Sequence, residues 1–308
     1  MHLLKLMLRE EYRLHVSYSS ARMFVAIPVF VFAIALVMSL TLTNIQSTIG
    51  LKDLITNLNA GVFLYGISVG TIDVGETRVV PVAIAREDAE QVRVDIRMVS
   101  GELTVDRGAE SLLEGQFTFN VDEWEPETSY TVTDGQGRLT IRQPNTDRLN
   151  ITGNARNEWD LRLSDDVPME LQLQAGAGRH DVDLAGLQIT ELDMELGAGE
   201  ADITLGDNPE LSRVDVELGA GSVDIDLSGD WAQDVEVEVQ GGVGSTTLRL
   251  PADVGVRVDV TRGIGAVDTR GLSRSGDVYV NAAYGESEVT LEITVRAGVG
   301  QIDLRVQE

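Results

Sequence analysis

A Gly-x-Gly triplet begins at Gly176, Gly197, Gly219, Gly242, Gly263 and Gly298, and it closes on Gly178, Gly199, Gly221, Gly244, Gly265 and Gly300. The first four intervals are 21, 22, 23 and 21 residues, and the last is 35. Recurrence at such a period marks small supersecondary units that bury their apolar rows only by stacking on one another. The excess in the last interval coincides with Leu272 to Gly285, LSRSGDVYVNAAYG, which reads as an insertion or an extra β-arm.

Within each unit apolar residues alternate on both sides of the triplet. Val214, Val216, Leu218 and Ala220 share one face, then Val223, Ile225 and Leu227 share another; Leu192, Met194, Leu196 and Ala198, then Ala201, Ile203 and Leu205, repeat the pattern. Period two with β-branched enrichment is the signature of strands. Between Ala220 and Val223 the step is three, so the face changes phase at Gly221, a bend that glycine tolerates. Each unit is therefore strand, glycine bend, strand and a turn such as Gly206-Asp207-Asn208-Pro209. The expected fold is mainly β, a β-solenoid or stacked two-sheet repeat; an antiparallel meander with each triplet as a hairpin loop is the alternative.

The segment Trp159-Asp160-Leu161, Val167-Pro168 and Gly176-Ala177-Gly178, followed by Leu-Gly-Ala-Gly units, resembles the toast-rack family of cell-envelope proteins. Val92 to Val105, Leu112-Leu113-Glu114-Gly115 and Gly137 to Ile141 are similar to that family's N-terminal domain. The repeat also resembles the domain attached to membrane regulators of cell-wall stress responses. The likeness covers roughly residues 75 to 308, with Gly-Val-Gly at 242 and 298 and Gly-Ile-Gly at 263 as departures from the family's Gly-Ala-Gly. It implies an N-terminal β-domain over 76–165 and a repeat domain over 166–308. The N-terminal domain is expected to cap one end of the stack. The last strand, charged at Arg296 and at Arg305 to Glu308, is expected at the other, where homo-oligomerisation stays open.

Met23 to Thr43 is uncharged and matches the roughly 30 Å of bilayer hydrocarbon at helical rise, so it reads as a transmembrane helix in contact with membrane lipid. Residues 1–22 carry four basic and two acidic residues, which places the N-terminus in the cytoplasm and the body outside. Residues 44–75 form a stalk; within them Leu54 to Ile72 is just long enough for a second span, which would return the body to the cytoplasm. Arg9 to His15 and Phe63-Leu64-Tyr65-Gly66 also resemble the start of an ABC-transporter permease, although no further spans follow.

The formal charge of −26, from 50 acidic and 24 basic residues, repels nucleic acid and suits a halophilic protein solvated in concentrated salt. There is no cysteine, which removes disulfides, thiolate metal sites and cysteine nucleophiles. Histidine stands only at 2, 15 and 180, and His180 falls in an apolar row beside the equivalents of Ala201, Val223 and Ile302, as a core residue would. The triplets lead into strands with no lysine nearby, so they are bends and not phosphate loops. Trp124, Trp159 and Trp231 read as packing anchors.

One polar pattern remains. Asp181, Asp202, Asp224, Asp268 and Asp303 each fall three residues after the second glycine of a triplet, with Thr247 as the exception. In a register stack they form a carboxylate ladder at strand spacing of about 4.8 Å, read as a solvated acidic face or as a row of oxygen ligands for a cation. No catalytic residue and no cofactor is expected. The leading expectation is a membrane-anchored, non-enzymatic envelope protein whose β-surface meets an unidentified envelope or membrane protein, in a structural or a signalling-regulatory role. A transporter accessory subunit and a cation-binding or adhesin-like surface protein are the alternatives.

Overall fold

Sixteen strands account for nearly all of the computed structural model, which describes residues 71–144, 150–152 and 154–307. They are β1 (Thr71–Asp73), β2 (Arg78–Ile84), β3 (Gln91–Arg107), β4 (Leu113–Phe119), β5 (Glu127–Thr133), β6 (Gln136–Arg142), β7 (Asn150–Thr152) and β8 (Asn157–Leu163), then β9 (Met169–Asp183), β10 (Ile189–Thr204), β11 (Arg213–Asp226), β12 (Val235–Leu250), β13 (Gly255–Arg270), β14 (Ser273–Ser275), β15 (Val278–Val280) and β16 (Thr290–Val306). Fourteen join one mixed sheet, while β1 and β7 pair separately. Met23 to Thr43 and all of Leu54 to Ile72 but its last two residues lie outside the described residues. Among the described ones no helix is long and apolar enough to cross a membrane.

Each repeat contributes one long strand creased at its glycine triplet, giving an arm before the crease and an arm after it. These strands pair parallel and in register: Gly199 beside Gly178, Gly221 beside Gly199, Gly244 beside Gly221. The alternating rows of both arms, Leu192, Met194 and Leu196 before one crease and Ala201 and Ile203 after it, join a single core. The arms fold towards each other, because a β-carbon placed on Gly241 would lie 3.4 Å from the Thr246 hydroxyl across the crease. Burying a Leu or Ile in this way is worth about 1.5–3 kcal/mol, so each rung is held chiefly by its neighbours. The meander is absent from the repeat, and so is the separation into two sheets: one creased sheet serves both arms. The apolar face also ends sooner than alternation implies, for Ala198 is exposed and Ala220 half-buried.

The order of rungs departs from chain order. The last strand, β16, lies between β12 and β13, paired parallel to both, so the array reads β3, β9, β10, β11, β12, β16, β13. Arg296 and Arg305 therefore sit inside the array and not at its end. The end strand is β13, and the segment after it supplies the extra β-arm: β15 pairs antiparallel with Arg257–Asp259, β14 pairs with β15, and Tyr279 is buried there.

At the other end β3 is itself a rung, with Gly101 beside Gly178 and Ser100 beside Ala177. Beyond it the sheet divides, the first arm continuing into β6 and β5 and the second into β8, β4 and β2. The fork leaves backbone groups of the β3 crease without a neighbouring rung. Gln143 and Asn157 meet them: Gln143 Oε1 accepts from the N–H of Val99 at 2.8 Å, and Asn157 Nδ2 donates to the Ser100 carbonyl at 2.6 Å.

Candidate functional site

The glycines of the triplets have two duties. The second glycine of every triplet holds a positive φ, from +130° at Gly221 to +159° at Gly178, which side chains rarely adopt. It also touches the adjacent rung, since a β-carbon on Gly221 would fall on the carbonyl oxygen of Gly199, and one on Gly244 on that of Gly221. Close approach of backbones along the crease is thus as strict a demand as the bend.

The central residues of the triplets form an outward ridge along the crease. In spatial order they are Ser100, Ala177, Ala198, Ala220, Val243, Val299 and Ile264. The three large ones occupy the last three rungs, with Ile264 outermost because β16 is inserted before β13, and they are 45%, 45% and 75% exposed. Beneath them, the inward residue before each triplet runs Met98, Ala175, Leu196, Leu218, Gly241, Ala297 and Arg262. Apolar bulk passes from inside the crease to outside it over the last three rungs. The rows flanking this part of the ridge, Gln240, Arg296 and Thr261 on one side and Ser245, Gln301 and Ala266 on the other, hold no carboxylate.

The aspartate ladder exists as a register row, Asp181, Asp202, Asp224, Thr247, Asp303 and Asp268 on successive strands. Arginines answer three of its five carboxylates, and Gln301 donates to Asp268. Arg179 reaches Asp202 at 3.3 Å, Arg249 reaches Asp224 at 2.6 Å, and Arg305 pairs with Asp303. Burial holds the Asp224 carboxyl above its ordinary range; Arg249 acts against that, and Asp202 and Asp226 add to it. The hydrogen bonds from Arg305 hold Asp303 below the ordinary range. Among the described residues no three His, Asp or Glu side chains converge as metal ligands would.

His180 is 2% exposed, and neither ring nitrogen has a hydrogen-bond partner. Its register neighbours are Leu103 and Ala201, and burial lowers its pKa to about 4. The tryptophans are packed as expected. Trp159 lies edge-on to Phe117 at 5.2 Å and donates to Asn157, Trp231 donates to the Leu227 carbonyl, and Trp124 is buried with Val121.

This architecture agrees with the comparisons. The family model for the N-terminal domain of toast_rack matches residues 73–210 and 207–249. A solved structure of a candidate cell adhesion protein from Clostridium sporogenes is 30% identical, with a TM-score of 0.60 over 75% of this chain and 100% of that one. A candidate adhesin from Bacteroides fragilis matches 76% of this chain and 99% of its own at 11% identity, with a TM-score of 0.37. No protein of curated function matches. The fold defines a β-repeat protein built on parallel creased strands. The chain belongs to the toast-rack family.

Proposed function

We propose that the chain is a membrane-anchored, non-enzymatic surface protein, tethered by Met23 to Thr43 with its N-terminus inside and its β-array outside, which offers that array to another envelope or membrane protein. The observation that carries the reading is the register itself. Seven parallel rungs repeat the same outward positions at about 4.8 Å, so the outer faces form continuous rows of side chains. Such rows suit extended contact with a protein surface, and the candidate adhesion protein from Clostridium sporogenes supports the same role.

The test is protease treatment of intact cells expressing the full chain with a tag at each end. Loss of the C-terminal tag with survival of the N-terminal one is expected. Protection of both would place the array inside and overturn the reading. The contact itself is tested by adhesion of such cells to a partner surface, where charge reversal at the outward Glu191 and Glu195 is expected to lower binding without changing the melting temperature.

A further inference from the structure

We infer that the β13 end of the array docks a second copy of this chain, edge to edge and tail to tail. The inference goes beyond the proposed function and does not depend on the membrane tether.

The two ends of the array are closed differently. At the β3 end Gln143 and Asn157 seal the crease, and the outermost strand of the second-arm branch, β2, carries Pro81 in its middle. Proline has no N–H to offer an incoming strand, so that edge is blocked. At the β13 end the first arm is covered by β15, but among the described residues no strand pairs with the outer side of residues 261–270. Among the described residues, the side-chain bond to the crease backbone there is from Arg262 to the Gly265 carbonyl.

Packing is incomplete at the same place. Val267 is half-buried, whereas its row-mates Leu103, Val223 and Ile302 are each 1% exposed. The ridge of Val243, Val299 and Ile264 becomes more exposed towards this edge and has no carboxylate in its flanking rows. For a chain of charge −26, flanking rows without carboxylates lower the repulsion that a second copy meets here.

The same features select the geometry. Head-to-tail stacking would bring the open second arm of β13 against the Pro81 strand of the next copy, and the covered first arm against its β5. Neither arm then finds a continuous partner. A two-fold arrangement instead gives each open edge the other, and it closes at two copies. Pairing over one arm buries less than the roughly 1,200 Å² of a stable standard interface, so the dimer is concentration-dependent, and salt strengthens it by screening the acidic bodies.

Because the chain lacks cysteine, single cysteines report the contact cleanly. In the full-length chain in mild detergent, Ala266→Cys on the open edge is expected to give a dimer with a short bis-maleimide, increasing with salt. Ala83→Cys on the proline-bearing strand is expected to stay monomeric. Adding Ile264→Asp to Ala266→Cys should cut the dimer yield about fivefold, near the tenfold-per-1.4 kcal/mol scale of a single contact; at 75% exposure the residue is not needed for folding. Equal cross-linking at both positions, a ladder of larger products, or a yield unaffected by Ile264→Asp would overturn the proposal.

Discussion

Rungs β10 and β11 and rungs β12, β16 and β13 share one backbone plan and use it in opposite ways. In the first group Leu196 and Leu218 fill the space inside the crease while Ala198 and Ala220 cap it outside. In the second, the inward row holds only Gly241 and Ala297, its last position being the exposed Arg262, and Val243, Val299 and Ile264 stand outside. The contrast teaches that the crease depends on its glycines, above all the second, and not on the side chains around them. Side chains on either side of it are free to serve the core or the surface, so one end of an otherwise uniform array can be specialised for contact.

If that is right, the largest effect belongs to the glycines and almost none to the residue between them. Gly221→Ala must take a φ of +130° and place a β-carbon on the Gly199 carbonyl, in contact with a backbone that cannot yield alone. A loss of about 3–5 kcal/mol is expected, the sum of backbone strain and a forced shift of the neighbouring rung. Val243→Ala, on the outward ridge, should stay within about 0.5 kcal/mol. Urea midpoints of the two variants decide the matter. A Gly221→Ala variant as stable as Val243→Ala would mean that the rungs do not meet at the crease.

The next effect comes from rung β9, where the inward residue before the crease is Ala175 and the larger His180 stands after it. With both ring nitrogens unpartnered and Leu103 and Ala201 beside it in register, His180 is held neutral, with its pKa lowered to about 4. No titratable group faces it from β3 or β10, and its chain neighbours Arg179 and Asp181 alternate to the outer face. Below its ordinary 6.5 the unfolded chain binds a proton that the folded chain refuses until about pH 4. Stability is therefore full above pH 6.5 and falls as pH drops through that window, by up to about 3 kcal/mol. Glu158 and Asp303, held low by hydrogen bonds from Arg156 and Arg305, keep their stabilisation until the pH falls below the ordinary carboxylate range. Urea unfolding at pH 7 and pH 4.5 should show the loss in the parent chain and a much smaller one in His180→Leu.

The sequence reveals the rungs better than their arrangement. Alternation and the triplets locate the buried rows, because period two and a crease glycine are local demands. The seventh rung, β3, is harder to see, since Val99-Ser100-Gly101 keeps only the second glycine. Its signal is the five-residue step from Met98 to Leu103, equal to that from Leu196 to Ala201. The insertion of β16 leaves no trace in the pattern, because every rung offers its neighbour the same edge, and nothing local distinguishes β16 from β13 as the partner of β12. Likewise the aspartate ladder is visible at fixed offset, and so is Arg305 two residues after Asp303 on its own strand, whereas Arg249 and Arg179 find Asp224 and Asp202 only once strands are paired.

The smallest effect tests the inversion most directly. Gly241 is not among the positive-φ glycines, and a β-carbon there would meet only the Thr246 hydroxyl, at an ordinary 3.4 Å. A narrow, partly open space of about 10 Å³, no more than about one water, lies beside it, lined by Leu218, Gly241, Val243, Thr246, Ala297 and Val299. Gly241→Ala should therefore stabilise the chain by about 0.5–1 kcal/mol, because the added methyl packs against that space in the fold and removes freedom from the unfolded chain. The same exchange at Gly244, three residues on and across the crease, should destabilise it severely. Opposite signs from two glycines so close together are what a crease with a spare interior and a crowded backbone requires. If Gly241→Ala is destabilising as well, the interior under the ridge is already full, and the displacement of apolar bulk to Val243, Val299 and Ile264 would have to be explained by packing and not by a docking role.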